Sequence, residues 1–267
     1  MTDIDLKGRV CMVTGGSQGL GMAMAEGLAK AGARVVITSI DQPKLDEVAA
    51  RIGTDRCLAL LGDITNPADC QRVVEQAVQR FGDLAVLVNN ARYNAPRANR
   101  NVLESEPAFW EKVIRTNIYG TYLMTFSTLP QFVKRGGGRV VNITTSLDTM
   151  QRKHYSPYGV TKCAIETETL IWSQDLKDKN IMVNTLLPGG SCDKGIPRDH
   201  LPARAAKHGL LPIDVMVPAL VWLCSDLSDG QTGGRYVGKL WDKSLEPAAA
   251  ASKAKEPPVM RPPEYAS

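Results

Sequence analysis

Tyr158 and Lys162, in Tyr158-Gly159-Val160-Thr161-Lys162, are the residues best placed by type and spacing to do chemistry. The segment Pro157–Lys177 around them reads as a helix, and positions i and i+4 share one helix face. An ammonium beside a phenol favours phenolate, so the tyrosine pKa is expected to fall from about 10 toward neutrality. A fall of about three units takes roughly 4 kcal/mol, which one nearby cation and the positive ring of a bound cofactor can supply. Such a phenol gives a proton to a forming alkoxide or takes one from an alcohol. In isolation the pair also reads as an exposed helical tyrosine and lysine.

Other groups stand at the ends of apolar runs. Thr145, in Asn142-Ile143-Thr144-Thr145-Ser146, follows a strand-like run, and a hydroxyl there can polarise a carbonyl. Asn117 falls inside a long helical stretch, where asparagine has poor propensity, and this suggests a solvent relay. Thr14-Gly15-Gly16-Ser17-Gln18-Gly19-Leu20-Gly21 joins a first strand to a first helix. Its glycines let the backbone approach a pyrophosphate, and the helix offers free N–H groups beyond it. Asp63-Ile64 follows a third strand. Its acid either bonds an adenine edge or forms a turn, with Asn66 as the competing helix cap. Asn89-Asn90-Ala91 ends a fourth strand, where open α/β sheets bind ligands. At the second strand's end, Ser39 stands where an acid would grip a ribose 2′-hydroxyl. That tilts the cofactor slightly to NADP over NAD, with no arginine beside it and with Asp41 still in reach of the ribose.

These groups need elements to position them. Strands are read at Arg9–Thr14, Arg34–Thr38, Cys57–Leu61, Leu84–Val88, Gly138–Ile143 and Met182–Leu187. Helices are read at Gly19–Ala31, Lys44–Ile52, Asn66–Phe81, Ala108–Arg135 and Pro157–Lys177. Strands apolar throughout, alternating with helices, imply a doubly wound parallel sheet with helices on both faces. Residues 1–246 form one catalytic domain on this reading, and the proline- and alanine-rich residues 247–267 form an extension outside the core. The Gly- and Pro-rich stretch Gly189–Pro212 is long enough to be functional.

The chain has 267 residues, 43% hydrophobic and 22% charged, a globular composition. A net charge of +4 without a dense basic block argues against nucleic acid. Six cysteines form no Cys-x-x-Cys pair, so reduced thiols and no metal site are expected. A polar amino terminus and the lack of long apolar runs point to the cytoplasm and away from membranes.

In order and spacing the glycine turn, Asp63, Asn89-Asn90-Ala91, Asn117, residues 144–146, Tyr158/Lys162, Pro188-Gly189 and Thr232-Gly233 resemble the classical short-chain dehydrogenases/reductases. The resemblance spans about residues 5–240. It implies a Rossmann-like sheet of about seven strands, NAD(P)-linked oxidoreduction of a small carbonyl/alcohol substrate, and a homodimer or homotetramer. It implies a catalytic tetrad at Asn117, Thr145, Tyr158 and Lys162, with the lysine also on the nicotinamide ribose. The cofactor would rest on Gly15, Ser17, Gln18, Gly19 and Leu20, on Ser39, on Asp63 and Ile64, and on Asn90 and Ala91. Tyr158, Lys162, Pro188, Gly189 and Ser191 complete that set.

Several positions depart from the family pattern. Thr145 replaces the usual serine, with Ser146 as a substitute hydroxyl; Arg92 replaces a glycine; Ser191 stands in for a threonine. The run Gly233-Gly234-Arg235-Tyr236 lacks the usual Asp-Gly-Gly ending. Candidate substrate residues are Arg92, Ser146, Tyr155 and Cys192. The candidate pocket walls also hold Arg97, Arg100, Arg152, Lys153, Lys194 and Arg198, which suggests an anionic substrate or merely a solvated basic surface. Arg92, Thr145 and the tail also motivate a second reading, a cofactor-binding pseudoenzyme acting through protein contacts; a third is a redox-neutral isomerase of the same fold.

Overall fold

The computed structural model describes residues 4–93, 101–193 and 209–259. Strands β1 (Val10–Thr14), β2 (Arg34–Ser39), β3 (Cys57–Leu61), β4 (Val86–Asn89), β5 (Gly138–Ile143), β6 (Ile181–Leu187), β7 (Arg235–Val237) and β8 (Lys255–Glu256) form one sheet. Its order is β3-β2-β1-β4-β5-β6-β7-β8. The first seven strands are parallel, and β8 runs antiparallel to β7. Every residue of β1, β4, β5 and β6 is buried, which is why their sequences are mostly apolar rather than alternating.

Helices α1 (Gly19–Lys30), α2 (Gln42–Ile52) and α8 (Val217–Cys224) cover one face, around a core that includes Met24, Leu28, Val48, Leu220 and Trp222. Helices α3 (Pro67–Phe81), α5 (Gly120–Lys134) and α7 (Tyr158–Asp175) cover the other, where Val73, Phe81, Met124 and Phe132 pack on the sheet. Helix α4 (Pro107–Ile114) runs into α5 through a π turn, Arg115–Tyr119; α6 (Leu147–Met150) is a single turn. The chain reverses direction across the sheet between β1 and β4, which opens the crevice where α/β sheets take ligands.

Two expectations are corrected. The sheet has eight strands rather than about seven. The tail does not lie outside the core over its described part: α9 (Pro247–Ala254) buries Ala250, Ala251 and Ala254, and β8 follows it into the sheet. Small side chains suit α9 because a helix of alanines can approach the α8 layer closely, so a composition that resembles a linker makes a packed helix instead.

Candidate active site

The glycine turn leaves β1 and meets the end of β4. Gly15 has φ +65°, and a Cβ there would come within 2.8 Å of Ala91 Cα. Thr14 Oγ1 accepts from the backbone N–H groups of Asn90 and Ala91, both at 3.0 Å. Asn90 Nδ2 donates to the carbonyls of Thr14 (2.9 Å) and Gly15 (3.2 Å), so its amide holds the turn itself. The amino terminus of α1 has no side-chain cap and no acid in its first turn. By contrast Asp41 caps α2 and Asn66 caps α3. Gly19 has φ +56° and would place a Cβ where no atom lies within 4 Å. Uncapped N–H groups beside open, side-chain-free space fit a phosphate-bearing cofactor.

Other cofactor-side expectations are divided by the structure. Ser17 Oγ donates to Ser39 Oγ at 2.9 Å, tying the turn to the end of β2. Asp41 accepts from the backbone and ammonium of Lys44, which occupies its carboxylate and lowers its pKa. Asp63 is exposed and its Oδ1 accepts from Thr65 N, so it makes a turn, while Asn66 is the helix cap. Ile64 is buried and packs where a Cβ on Gly120 would strike it, leaving only its backbone for a ligand. Gln18 is exposed and Leu20 half-buried against the core. Pro188 O accepts from Lys239 N; Gly189 has φ +87°; Ser191 is exposed.

At the next strand ends the structure brings Tyr158, Lys162 and Arg92 together. Lys162 Nζ lies 5.9 Å from the Tyr158 ring centre, and the Arg92 guanidinium carbon 5.8 Å. Gly159 lets α7 start here: a Cβ on it would fall 2.1 Å from Met150 O of α6. Lys162 is 4% exposed and donates to Ile143 O at 2.7 Å. The electrostatics differ from the expectation. Burial raises the Tyr158 pKa, and the cation that pulls it back is Arg92, while Tyr155 pushes it further up. Burial, then Arg92, brings Lys162 down to about 7 against the pull of Glu166. A lysine that loses its charge near neutrality is a weak source of field for its neighbour.

Asn117 sits on the π turn, a bulge often found at functional sites. Its Oδ1 accepts from Tyr93 N at 2.7 Å and its Nδ2 donates to Thr161 Oγ1 at 3.1 Å. Those bonds clamp the segment carrying Arg92 to α7. Thr145 is half-buried just past β5, and its carbonyl accepts from Arg235 Nη2 at 3.3 Å. Ser146 is committed to α6 as its cap, with its hydroxyl 3.0 Å from that of Thr149. Tyr155 accepts from Arg152 Nη1 at 3.1 Å, and Cys192 is buried with its thiol 4.0 Å from Gly190 O. Arg97, Arg100, Lys194 and Arg198 lie outside the described residues.

Glu166 and Arg235 were not singled out in the sequence. Both are buried, at 3% and 4% exposure. Glu166 Oε1 accepts from Arg235 Nε (3.2 Å) and Thr144 Oγ1 (2.6 Å), and its Oε2 from Thr185 Oγ1 (3.2 Å). Arg235 also pairs with Glu256 of β8. Glu166 stands one turn beyond Lys162 on a face otherwise buried, and a charged residue at that spacing was the available signal.

A cavity of about 510 Å³ lined by Ile4, Lys30, Val221, Trp241 and Leu245 lies beside Gly32, ahead of β2. That is the opposite end of the sheet from these groups. Among the described residues no cluster of acids, cysteines and histidines is placed to hold a metal, and no helix is long and apolar enough to cross a membrane.

A doubly wound sheet with an uncapped glycine turn at its crevice, and a tyrosine–lysine pair beside it, defines a nucleotide-binding α/β protein. Residues 9–192 match the model of the short chain dehydrogenase family, and the chain belongs to that family of oxidoreductases. It is 34% identical over 250 residues to the uncharacterized oxidoreductase YhdF of Bacillus subtilis (strain 168), which covers 87% of this chain and 85% of the relative. It is 31% identical to the 2-dehydro-3-deoxy-D-gluconate 5-dehydrogenase of Dickeya dadantii (strain 3937), over 87% and 94% of the two chains. Among solved structures, the 3-ketoacyl-(acyl-carrier-protein) reductase of Brucella melitensis complexed with NADH superposes with a TM-score of 0.76 at 31% identity. The match covers 86% of this chain and 96% of that one.

Proposed function

We propose that the chain is an NAD(P)-dependent dehydrogenase/reductase in which Tyr158 is the general acid/base. The observation that carries this is the grouping of Tyr158, Lys162 and Arg92 at the strand ends next to the glycine turn. A bound nicotinamide would supply or accept the hydride. Gly15, Gly19 and the first turn of α1 would hold its pyrophosphate, with Ser39 near the ribose.

Burial keeps the Tyr158 phenol protonated at rest. In the reductive direction it is therefore ready to give its proton to the oxygen that gains negative charge as hydride arrives. Lys162, brought down to about 7 by burial and then Arg92, would relay the replacement proton toward the phenol. Thr145 contributes a hydroxyl to the same carbonyl oxygen. Ser39 in place of an acid favours NADP. Two of the named relatives are a 2-dehydro-3-deoxy-D-gluconate 5-dehydrogenase and a 3-ketoacyl-(acyl-carrier-protein) reductase, so the family alone leaves the substrate class open.

The pseudoenzyme alternative loses one of its motives, since the described tail is part of the fold. Self-association has support where the π turn runs into α5: Tyr119, Tyr122 and Phe126 form an exposed ladder with ring centres 6.1 and 5.7 Å apart. Tyr158→Phe tests the chemistry. Turnover on a carbonyl panel is expected to fall at least about 100-fold, with cofactor binding and Tm retained. Equal turnover by the variant refutes the role.

A further inference from the structure

Arg92 follows Ala91 directly at the end of β4, and its place is anchored. Tyr93 N donates to Asn117, the Tyr93 ring packs 6.2 Å from that of Phe109, and Lys112 Nζ stands 4.4 Å over it. The guanidinium is half-buried over the Tyr158 ring. Among the described residues it makes no ion pair. Glu166, the acid that acts on Lys162, is committed to Arg235. Residues 92–100 include three arginines and no acid.

The Arg92 guanidinium and the Lys162 amine therefore lie 5.8 and 5.9 Å from the centre of one phenol ring, and among the described residues neither forms an ion pair. Like charges so placed raise the free energy of the site, and Arg92 adds to burial, the larger cause, in depressing the basicity of Lys162. A planar fork of donors without an acceptor matches a carboxylate or a phosphate.

We propose that Arg92 docks an anionic head group, so that the substrate is a short carbonyl compound, or the matching alcohol, carrying a carboxylate or phosphate near the reacting carbon. This rests on the reading of Tyr158 as acid/base. In the reductive direction the carbonyl carbon gains hydride from the nicotinamide nucleotide. The carbonyl oxygen gains a proton from Tyr158, and the anionic head is unchanged. Arg92 holds that head while the phenol faces the carbonyl. The bound anion also offsets the repulsion between Arg92 and the Lys162 ammonium, and so couples substrate binding to the protonation of Lys162.

Matched pairs of probes separate the anion from the rest of the substrate. Acetoacetate is compared with acetoacetamide, and dihydroxyacetone phosphate with dihydroxyacetone, each with NADH and with NADPH. The wild type is expected to favour one charged member by about tenfold or more in kcat/KM, the effect of a charge-assisted hydrogen bond. Whichever pair shows it identifies the head as carboxylate or phosphate. In Arg92→Met the ratio is expected to fall toward unity, and in Arg92→Lys to keep part of its value. Only the ratio is read, because Arg92 also acts on Tyr158. Wild-type ratios near unity for both pairs overturn the proposal, as does a ratio unchanged in Arg92→Met.

A binding measurement keeps the two readings apart. Calorimetric titration of malonate and of inorganic phosphate into NADPH-loaded wild type and Arg92→Met needs no turnover. Arg92-dependent binding together with equal turnover by wild type and Tyr158→Phe supports the anion site and refutes the acid/base reading. Turnover of the neutral probes with no Arg92-dependent binding does the reverse.

Discussion

Arg235→Met strips the buried Glu166 carboxylate of its cation and leaves it in place. The guanidinium Nε lies 3.2 Å from Glu166 Oε1, with both residues almost fully buried. Breaking such a pair from one side costs about 3–5 kcal/mol. The hydroxyls of Thr144 and Thr185 still donate to the carboxylate. Glu256, the other partner, is 42% exposed and can turn to water, so the loss belongs at the lower end, about 3 kcal/mol. That corresponds to a fall in Tm of roughly 6–12 °C.

The pH dependence has a definite sign. Burial already holds Glu166 above its ordinary value of 4.5, and Arg235 is one of the groups restraining it. Without Arg235 the folded-state value climbs further, so the folded protein binds this proton more readily than the unfolded chain. The deficit relative to wild type is smallest below about pH 4.5, grows as pH rises through the variant's elevated folded-state value, and is complete above it. Urea unfolding at pH 5 and pH 8 measures it. Arg235→Met combined with Glu166→Gln is expected to recover much of the loss, because the unpaired charge is gone; the amide oxygen accepts from one threonine hydroxyl, and the amide N–H donates to the other, which rotates to accept. A loss under about 1 kcal/mol at pH 8, or one independent of pH, refutes a stabilising charge pair at this site.

Three further outcomes follow from the same coordinates. Ser39→Asp is expected to move the kcat/KM ratio toward NADH over NADPH by at least about tenfold, since a carboxylate repels a 2′-phosphate; competition kinetics with both nucleotides reads this. Lys162→Met is expected to abolish most turnover yet stabilise the fold at pH 6.5. Wild-type Lys162 carries a buried charge below about 7, a penalty that fades as pH rises toward 10.5 and the unfolded lysine also loses its proton. Urea midpoints for the two proteins should therefore converge at high pH. Phe126→Glu on the exposed α5 ladder is expected to shift a homo-oligomer toward monomer by sedimentation, leaving the monomer folded because the side chain is 59% exposed.

Local sequence carried much of this protein. The boundaries of β5 were read without error and those of α3 to within one residue, because buried strands and amphipathic helices write their periods into consecutive residues. The glycine turn and the Tyr158/Lys162 spacing were legible for the same reason: a turn and a helical repeat are local devices. Three-residue β7 and two-residue β8 were not legible, being too short to show a period, and α9 was hidden by an alanine composition that also suits a linker.

The site's electrostatics belonged to tertiary structure entirely. Helical spacing put Lys162 beside Tyr158, but it could not tell that burial would raise the phenol or bring the ammonium down to about 7. Nor did it show that Arg92, 66 positions before Tyr158, would be the cation over the ring, or that Arg235 would reach Glu166 across 69 positions. Desolvation and charge pairing depend on which surfaces the folded chain brings together, and that information lies in no window of neighbouring residues.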